Sequence, residues 1–389
     1  MKVARKRGRG LVCLFFVALF LFSACNAHLL FDPLRRVCRG ENTLSEAARQ
    51  TRAAYVGGIS FKSAFVDLNG AYARLTGRHV YHGVSVLKNG MLDRDGVAAI
   101  DTGELAQALV RFSDALAARG ISFLFVQIPS KSDLAGELAC DGVENAANLN
   151  ADALCKTLSA RNVELLDLRS QLAATAAEVE HCFYRTDHHW NTDGAFCAFK
   201  EVLSRIAAML TTRTVDVSWG SAERWERQIY PDWLLGSHGK RVGRFFGGVD
   251  DLVLYTPKER IETTLALPHK EIFKSGDFSE VLLCKEYLDA PDYHGDDAYC
   301  VYLGGNYPLV VHQTVGIEKG AHVLLIKDSF SLPLEAMLST ALSRLDAIDP
   351  RYFGEETVLE YAERTHPDLV VVAINPSVFS DGAYLDFGA

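Results

Sequence analysis

The chain has 389 residues, of which 49% are hydrophobic and 23% are charged. This composition is typical of a globular protein with a full hydrophobic core, and it excludes an intrinsically disordered chain. The formal net charge of -9 and the isoelectric point near 5.8 argue against a nucleic-acid partner.

The first 31 residues have the pattern of an export signal or a membrane anchor. Five basic residues between Lys2 and Arg9 precede an apolar run from residue 11 to residue 22. Two small residues and Cys25 follow, as at a lipoprotein processing site, so Cys25 is a candidate for lipidation. The alternative is an uncleaved signal anchor, because residues up to Phe31 nearly complete a membrane span. Both interpretations place the rest of the chain outside the cytoplasm, anchored to a membrane.

Nine cysteines are present, and none has a CxxC or CxxH spacing, which argues against a structural zinc site. Outside the cytoplasm some of them could form disulfides. By proximity in the sequence, the candidate pairs are Cys140 with Cys155 and Cys284 with Cys300. The alternative is that most of the cysteines are small buried apolar residues.

Residues 32–75 have an amphipathic pattern that predicts a helical segment leading into a main domain at 76–389. Residues 79–87 alternate between apolar and polar side chains, which indicates strands. The Asn89-Gly90 pair that follows favours a hairpin turn.

After this hairpin, apolar strands alternate with helices, and the runs of Val, Ile and Leu are typical of a parallel sheet covered on both faces. Strands are predicted at 121–128, 163–168, 322–326, 344–348 and 369–374. Helices are predicted near 105–116, 147–160, 169–178, 196–210, 332–342 and 355–365. Thr192 is the predicted N-cap of the fourth of these helices. Residues 213–318 interrupt the alternation with short strand-like pieces, which indicates a β-rich insertion or lid.

The segment from Tyr184 to Asn191 is the most informative part of the chain, because it combines a carboxylate with two imidazoles. An Asp two residues before a His can fix the tautomer of the imidazole and leave the other ring nitrogen free to accept a proton. If the segment is extended, Asp187 and His189 share one face and His188 points the other way. The alternative is a polar loop without a catalytic role.

Ser329 lies between the apolar strand at 322–326 and the helix that begins at Leu332. Ligands of open α/β sheets bind at the carboxyl ends of the strands, and a strand-to-helix turn exposes its side chain there. We therefore predict Ser329 as the nucleophile, His189 as its general base and Asp187 as the group that orients His189. Ser331 is the fallback, and the alternative is that Ser329 only caps the helix.

Four further residues are candidates for substrate binding or for stabilising an oxyanion. Lys131 and Arg351 each follow a predicted strand and could hold an anionic group, although a solvated loop charge is the alternative for both. Asn375, at the end of the last strand, is a candidate oxyanion donor, and Trp190 lies directly beside His189.

A competing interpretation uses the polar residues of the same segment as metal ligands, since imidazole and carboxylate suit zinc or manganese. Its ligands would come from His181, Asp187, His188, His189 and Asp193. Neighbouring histidines do not easily ligate one ion from a strand, and the HExxH spacing is absent. We therefore expect neither a metal nor a cofactor.

The run Thr186-Asp187-His188-His189-Trp190, followed by Gly194-Ala195, resembles the signature of the bacterial DHHW protein family. It is also similar to the SGNH-hydrolase-like domain of alginate O-acetylation proteins of the AlgX and AlgJ type. In these families an Asp-x-His-Trp stretch precedes a serine in a late Asp-Ser-Phe turn, the order seen here with Asp328-Ser329-Phe330. The resemblance spans about residues 60–375 and implies a three-layer α/β fold with a mostly parallel central sheet. Lys327 departs from this resemblance, because many relatives carry Gly at that position. The larger side chain of Lys327 predicts crowding at the turn that carries the nucleophile.

The resemblance implies an extracytoplasmic, membrane-anchored acyl esterase or O-acetyltransferase that acts on a cell-surface or exported glycan of a bacterium. It also implies a membrane-bound O-acyltransferase as a partner. A second hypothesis is a non-catalytic envelope protein that binds glycan or acts as a scaffold while retaining the fold. Lys327 and the lack of clearly matching oxyanion donors favour this second hypothesis.

Overall fold

The structure, a computed structural model, describes residues 2–131, 142–175 and 181–389. The chain divides into two compact units, residues 1–69 and residues 70–389. The helices of the first unit are α1 (Lys2–Asn26), α2 (His28–Cys38), α3 (Leu44–Gly58) and most of α4 (Lys62–Leu75). Thr43 and Glu46 form a reciprocal capping box that begins α3.

Among the described residues, no single helix has the length and apolarity needed to cross a membrane. Residues Val12–Asn26 of α1 together with α2 pass that test as a pair, and the two helices are bent by 50° where they meet.

The second unit begins with a small antiparallel sheet and continues with alternating strands and helices. Its strands are β1 (Val80–Tyr81), β2 (Val84–Val86), β3 (Leu92–Arg94), β4 (Ser122–Gln127), β5 (Leu165–Asp167), β6 (Trp225–Leu234), β7 (Asp250–Pro257), β8 (Glu262–Leu267), β9 (Ile272–Asp277), β10 (Leu309–Thr314), β11 (His322–Lys327), β12 (Arg344–Ile348) and β13 (Leu369–Ile374). Its helices are α5 (Gly103–Ala117), α6 (Ala147–Ala160), α7 (Leu168–Thr175), α8 (Thr192–Met209), α9 (Ser237–Val242), α10 (Arg244–Gly247), α11 (Phe278–Val281), α12 (Leu332–Ser339) and α13 (Val358–Thr365). The end of the helix predicted at 169–178 lies outside the described residues.

The central sheet has eight strands in the order β5-β4-β13-β11-β12-β10-β8-β9. The first five are mutually parallel, and they are the five strands predicted from the apolar runs. The last three are antiparallel and come from residues 213–318, so part of the β-rich insertion extends the sheet. The insertion also contains the separate β6–β7 pair.

Alternate residues of the central strands face two different apolar layers. In β11, Val323 and Leu325 pack into the core shared with α8, α12 and the insertion. Leu324 and Ile326 pack into the opposite core, formed with α5, α6 and α13. A parallel sheet with helices on both faces is the predicted three-layer α/β fold, which is thereby confirmed.

The start of α8 differs from the prediction by one residue. Asn191, not Thr192, is the N-cap, because its side chain accepts a hydrogen bond from the N–H of Gly194. The Thr192 hydroxyl instead donates to the carbonyl oxygen of Val253 at 2.7 Å.

Every cysteine within the described ranges is a free thiol, so Cys284 and Cys300 are not paired. The N–H of Cys284 donates to the carbonyl of Val301, so the residue opposite Cys284 is the neighbour of Cys300. Burial raises the pKa of the Cys300 thiol to about 12, which keeps it unreactive. Cys155 is free, and its candidate partner Cys140 lies outside the described residues.

Lys327 does not crowd the turn that follows it. Its ammonium is buried and lies 3.2 Å from the carboxylate of Glu335 in α12, and it donates to Asn306 at 3.0 Å. His312 of β10 bonds the other oxygen of Glu335 at 2.8 Å. Burial would raise the pKa of Glu335, but the charge of Lys327 and the hydrogen bond from His312 lower it, so Lys327 and Glu335 form an ionised pair.

Because this ion pair is buried, removing one of its partners should lower the stability of the fold strongly. Lys327→Met should lower the free energy of unfolding by about 3–5 kcal/mol, because the carboxylate of Glu335 stays buried without a counter-charge. The double variant Lys327→Met/Glu335→Gln should recover part of that loss. Urea unfolding is the measurement.

The matched control is Arg119→Met, which breaks an ion pair with Glu363 at the surface and should cost less than about 1 kcal/mol. An equal loss in Arg119→Met and Lys327→Met would contradict the importance assigned to the buried pair.

Candidate active site

The turn that carries Ser329 is held by the side chain of Asp328. The carboxylate of Asp328 accepts hydrogen bonds from the N–H of Phe330 at 2.9 Å and from the N–H of Asn375 at 2.7 Å. These bonds join the loops that follow the neighbouring strands β11 and β13. A short 3-10 turn over Ser329–Ser331 then leads into α12.

Ser329 is the hydroxyl of this turn that reaches the surface. Ser329 is partly exposed, whereas Ser331 is fully buried and its hydroxyl has no hydrogen-bond partner among the described residues. The fallback nucleophile Ser331 is therefore wrong on grounds of access.

The structure brings Asp187, His189 and Ser329 into one hydrogen-bonded chain. Nδ1 of His189 lies 2.6 Å from Oδ1 of Asp187, and Nε2 of His189 lies 2.8 Å from Oγ of Ser329. Because an ionised carboxylate only accepts hydrogen bonds, Nδ1 carries the imidazole proton and Nε2 is free to accept the proton of Ser329. This is the geometry that a serine nucleophile with a histidine base requires.

Asp187 stays ionised although it is buried. Burial would raise its pKa, but the neighbouring imidazoles of His189 and His188 and the hydrogen bonds from His189 hold that pKa well below its usual value. Its second oxygen accepts the N–H of Ser237 at 2.5 Å. Both carboxylate oxygens are thus satisfied, which fixes the direction in which Asp187 presents its charge to His189.

A glycine allows the backbone to approach Asp187 closely enough for the Ser237 hydrogen bond. A Cβ atom at Gly236 would lie 2.3 Å from Cβ of Asp187, closer than two carbon atoms can pack. The N–H of Gly236 also donates to the hydroxyl of Thr186 at 2.9 Å. Any larger residue at position 236 would push this loop away from the carboxylate.

Lys131 holds the same segment from the other side. Its ammonium is buried and donates to the carbonyl oxygens of Leu92 and Asp187, each at 2.6 Å, and more weakly to that of Arg185. The structure therefore contradicts the solvated loop charge, and a contact of Lys131 with substrate stays a prediction. On the far side, Asp250 accepts from the N–H groups of Arg185 and Thr186 and from the Thr186 hydroxyl.

The other three candidates are also committed to protein partners. Arg351 makes a two-pronged pair with Asp349, at 2.8 and 2.6 Å. Asn375 accepts the N–H of Ser377 at 3.0 Å and donates weakly to a backbone carbonyl. Trp190 is fully buried and donates its indole N–H to the carbonyl of Phe330 at 2.7 Å. In these positions they support the nucleophile turn and the sheet edge, and their contact with substrate stays a prediction.

His188 does not point away from His189, because the segment is bent rather than extended. The two imidazole rings are 3.8 Å apart, and Nδ1 of His188 lies 2.7 Å from the hydroxyl of Ser237. Burial, followed by the nearby His189, lowers the pKa of His188 to about 3. His188 is therefore neutral at physiological pH.

The bend also brings ligand atoms of Asp187, His188 and His189 within 4.8 Å of one another. The expected separation of the two histidines on a strand is therefore wrong, because the segment is a bend. A metal ion at this place would have to replace the hydrogen bond between Asp187 and His189, whose other nitrogen already faces Ser329. Asp193 lies apart, paired with Arg227 at 2.7 Å.

Two cavities border the segment, and none of Asp187, His189 and Ser329 lines either of them. A cavity of about 560 Å³ is lined by residues such as Met91, Phe183 and Arg227, and none of the three hydrogen-bonded residues contributes to it. A narrow crevice of about 30 Å³ lies at the carboxyl ends of β4, β11 and β13. It is lined by Arg94, Ser130, Lys131, His188, Phe330 and Asn375, among others. The crevice stays the predicted place of the chemistry, because His188 and Phe330 line it beside His189 and Ser329 in the chain and ligands of open α/β sheets bind at that edge.

Comparison with known families supports this architecture. Residues 91–226 match the family described as SGNH hydrolase-like domain, acetyltransferase AlgX. This range contains Asp187 and His189 but ends before Ser329. No curated protein sequence matches the chain.

Solved structures resemble the chain over most of its length. The structure of Bacillus cereus PatB1 has a TM-score of 0.65 and 20% identity, and the match covers 77% of this chain and 98% of that chain. The structure of the same protein with a sulfonyl adduct has a TM-score of 0.64 and 19% identity, and the match covers 77% of this chain and 96% of that chain. A DHHW family protein from Eubacterium siraeum has a TM-score of 0.57 and 16% identity, and the match covers 78% of this chain and 94% of that chain.

The chain has the SGNH-hydrolase-like fold. The resemblance to DHHW and AlgX-type proteins stated from the sequence is confirmed. At these levels of identity the solved structures establish the fold, and the catalytic roles of Asp187, His189 and Ser329 stay predictions.

Three residues that support the site are not predicted from the sequence. Ser237 and Asp250 hold the two sides of the Asp-His segment, and Tyr299 packs against His189. All three come from the insertion, far from the motif in the chain. The signal available for one of them was the Gly236-Ser237 pair, since a glycine beside a polar residue indicates a close backbone approach.

The depressed pKa of Asp187 predicts a pH-dependent contribution to stability. The contribution is present above the unfolded pKa of about 3.9 and is lost as pH falls toward the lower folded pKa, by up to about 1.4 kcal/mol per pH unit. The stability difference between wild type and Asp187→Asn should therefore shrink as pH falls from 4 to 2. Urea unfolding across this range measures it.

Asp114→Asn, which removes a carboxylate at an exposed position of α5, is the control for the general effect of losing one negative charge. A wild-type advantage over Asp187→Asn that stays constant down to pH 2 would contradict the ionised state assigned to Asp187.

Proposed function

We propose that this protein is an extracytoplasmic O-acetyltransferase or acetylesterase that acts on a cell-surface or exported glycan through Ser329, His189 and Asp187. One observation carries the proposal. An accessible serine on a strand-to-helix turn lies 2.8 Å from an imidazole whose other nitrogen is bonded to an ionised carboxylate. The match to an acetyltransferase family supports the acetyl group as the one transferred.

The reaction proceeds in two halves. As Oγ of Ser329 attacks the ester carbonyl of the donor, Nε2 of His189 takes its proton. The bond between the acyl carbon and the donor oxygen then breaks, and His189 returns the proton to the leaving alkoxide. In the second half a glycan hydroxyl, or water, gives its proton to His189 and attacks the acetyl carbon, and Ser329 leaves with that proton.

Asp187 contributes by stabilising the imidazolium that forms in each half. Its charge is fixed by the N–H of Ser237, so no reorganisation is needed when His189 gains a proton. Lys131 and Trp190 are buried, and their hydrogen bonds hold the Asp-His segment and the turn that carries Ser329 in place.

We further propose that residues 1–31 export the protein and hold it at the membrane, through lipidated Cys25 or an uncleaved anchor. The basic start and the apolar α1–α2 pair support this. A membrane-bound O-acyltransferase would be the partner that supplies the acetyl group. Loss of the protein from the membrane fraction in Cys25→Ala would favour the lipid, and retention would favour the anchor.

A second candidate function is a non-catalytic envelope protein that binds glycan or acts as a scaffold. The narrow crevice of about 30 Å³ and the engagement of Arg351, Asn375 and Lys131 with protein partners favour it. Ser329-dependent turnover of an acetyl ester would distinguish the enzyme from the non-catalytic protein.

The proposal predicts hydrolysis of p-nitrophenyl acetate by the full chain between pH 6 and pH 9. Ser329→Ala and His189→Ala should each lower kcat by about a thousandfold or more, because either change removes a member of a unit that acts together. Initial rates of p-nitrophenolate release are the measurement, with transfer to an oligosaccharide acceptor as a second readout.

Ser331→Ala is the matched control and should retain activity, since its buried hydroxyl has no partner among the described residues. A wild type without any Ser329-dependent turnover would overturn the enzyme proposal and leave the scaffold candidate.

A further inference from the structure

Tyr299 lies flat against the proposed catalytic base. The centroids of the Tyr299 and His189 rings are 3.9 Å apart, and the ring planes differ by 8°. Tyr299 belongs to a short turn over Ala298–Val301 within the insertion, and it is 4% exposed. Its ring therefore faces His189 from inside the protein, where substrate does not reach.

His189 is held between two rings. His188 lies 3.8 Å from it at a tilt of 37°, and two rings this close to one imidazole must occupy opposite faces. The imidazole of His189 cannot rotate without displacing one of them. This restriction keeps Nδ1 directed at Asp187 and Nε2 directed at Ser329.

The hydroxyl of Tyr299 reaches the other partner of the reaction. It lies 3.1 Å from the carbonyl oxygen of Ser329 and 2.9 Å from that of Phe330, to which Trp190 also donates. Burial raises the pKa of Tyr299 well above its ordinary value, so the hydroxyl stays protonated and acts as a donor. One side chain thus contacts both the base and the turn that carries the nucleophile.

The stacked ring also affects the charge that forms during the reaction. The face of an aromatic ring attracts a cation, so the Tyr299 ring favours the imidazolium form of His189 over the neutral form. A neutral tyrosine provides this without adding a charge to the site. A leucine of similar burial would fill the space but would not attract the cation.

We propose that Tyr299 is a positioning residue for acyl transfer, with its ring aligning His189 and its hydroxyl fixing the Ser329 turn. The inference rests on the proposed function, which it extends by giving the β-rich insertion a role in catalysis. Because Tyr299 does not contact substrate, its replacement should lower kcat and leave KM unchanged.

Two substitutions separate the ring from the hydroxyl. Tyr299→Phe keeps the stacked ring, so kcat should fall about tenfold while the midpoint of the acid limb of the pH–rate profile stays in place. Tyr299→Leu removes the ring as well, so kcat should fall about a hundredfold and that midpoint should move about half a pH unit lower. Steady-state kinetics of p-nitrophenyl acetate hydrolysis from pH 5 to pH 9 provides both values.

Tyr302→Phe is the matched control. Tyr302 is equally buried, and its hydroxyl bonds the backbone of Tyr255 at 2.8 and 2.9 Å without touching the nucleophile turn. This variant should lose stability as Tyr299→Phe does, yet keep the wild-type kcat and pH profile.

Three results would overturn the inference. If an active wild type and both Tyr299 variants share the kcat and acid midpoint of Tyr302→Phe, this inference falls and the proposed function stands. If the wild type shows no Ser329-dependent turnover, the proposed function and this inference fall together. A loss of kcat in Tyr299→Phe that matches the loss in Tyr302→Phe would show a structural effect only.

Discussion

The hydrogen bond between His189 and Ser329 is the interaction on which the rest of the site depends. It joins residues 140 positions apart, at 2.8 Å. A one-turn error in either supporting element would break it, so both ends are fixed by several bonds from other parts of the chain. Asp328 fixes the serine turn, and Asp187, held by the N–H of Ser237, fixes the imidazole.

Much of this architecture follows from local patterns in the sequence. Apolar runs of five to eight residues between helices predict buried parallel strands, and all five such strands are present. The position of Ser329 after one of those strands places it at the edge where ligands bind. The spacing of Asp187 and His189 predicts a pair, although the pair forms in a bend and not, as expected, on one face of a strand.

The roles of the buried polar groups could not be predicted, because their partners are distant in the chain. Lys131 follows a strand as a surface lysine would, and nothing beside it in sequence indicates that backbone carbonyls of Leu92 and Asp187 enclose its ammonium. From the sequence, Lys327 likewise predicts crowding at the nucleophile turn, and its pairing with the buried carboxylate of Glu335 is known only from the structure. Hydrophobic periodicity reports which face is buried, whereas the pairing of charges inside the core depends on the completed fold.

The most direct test of the account is to map the site of covalent modification by phenylmethanesulfonyl fluoride, which reacts with activated serine nucleophiles. Peptide mass spectrometry of the wild type should locate one sulfonyl group on Ser329. The same treatment of His189→Ala should leave Ser329 unmodified, because no base then accepts its proton. A sulfonyl group on another serine, or equal labelling of Ser329 in both proteins, would contradict the account.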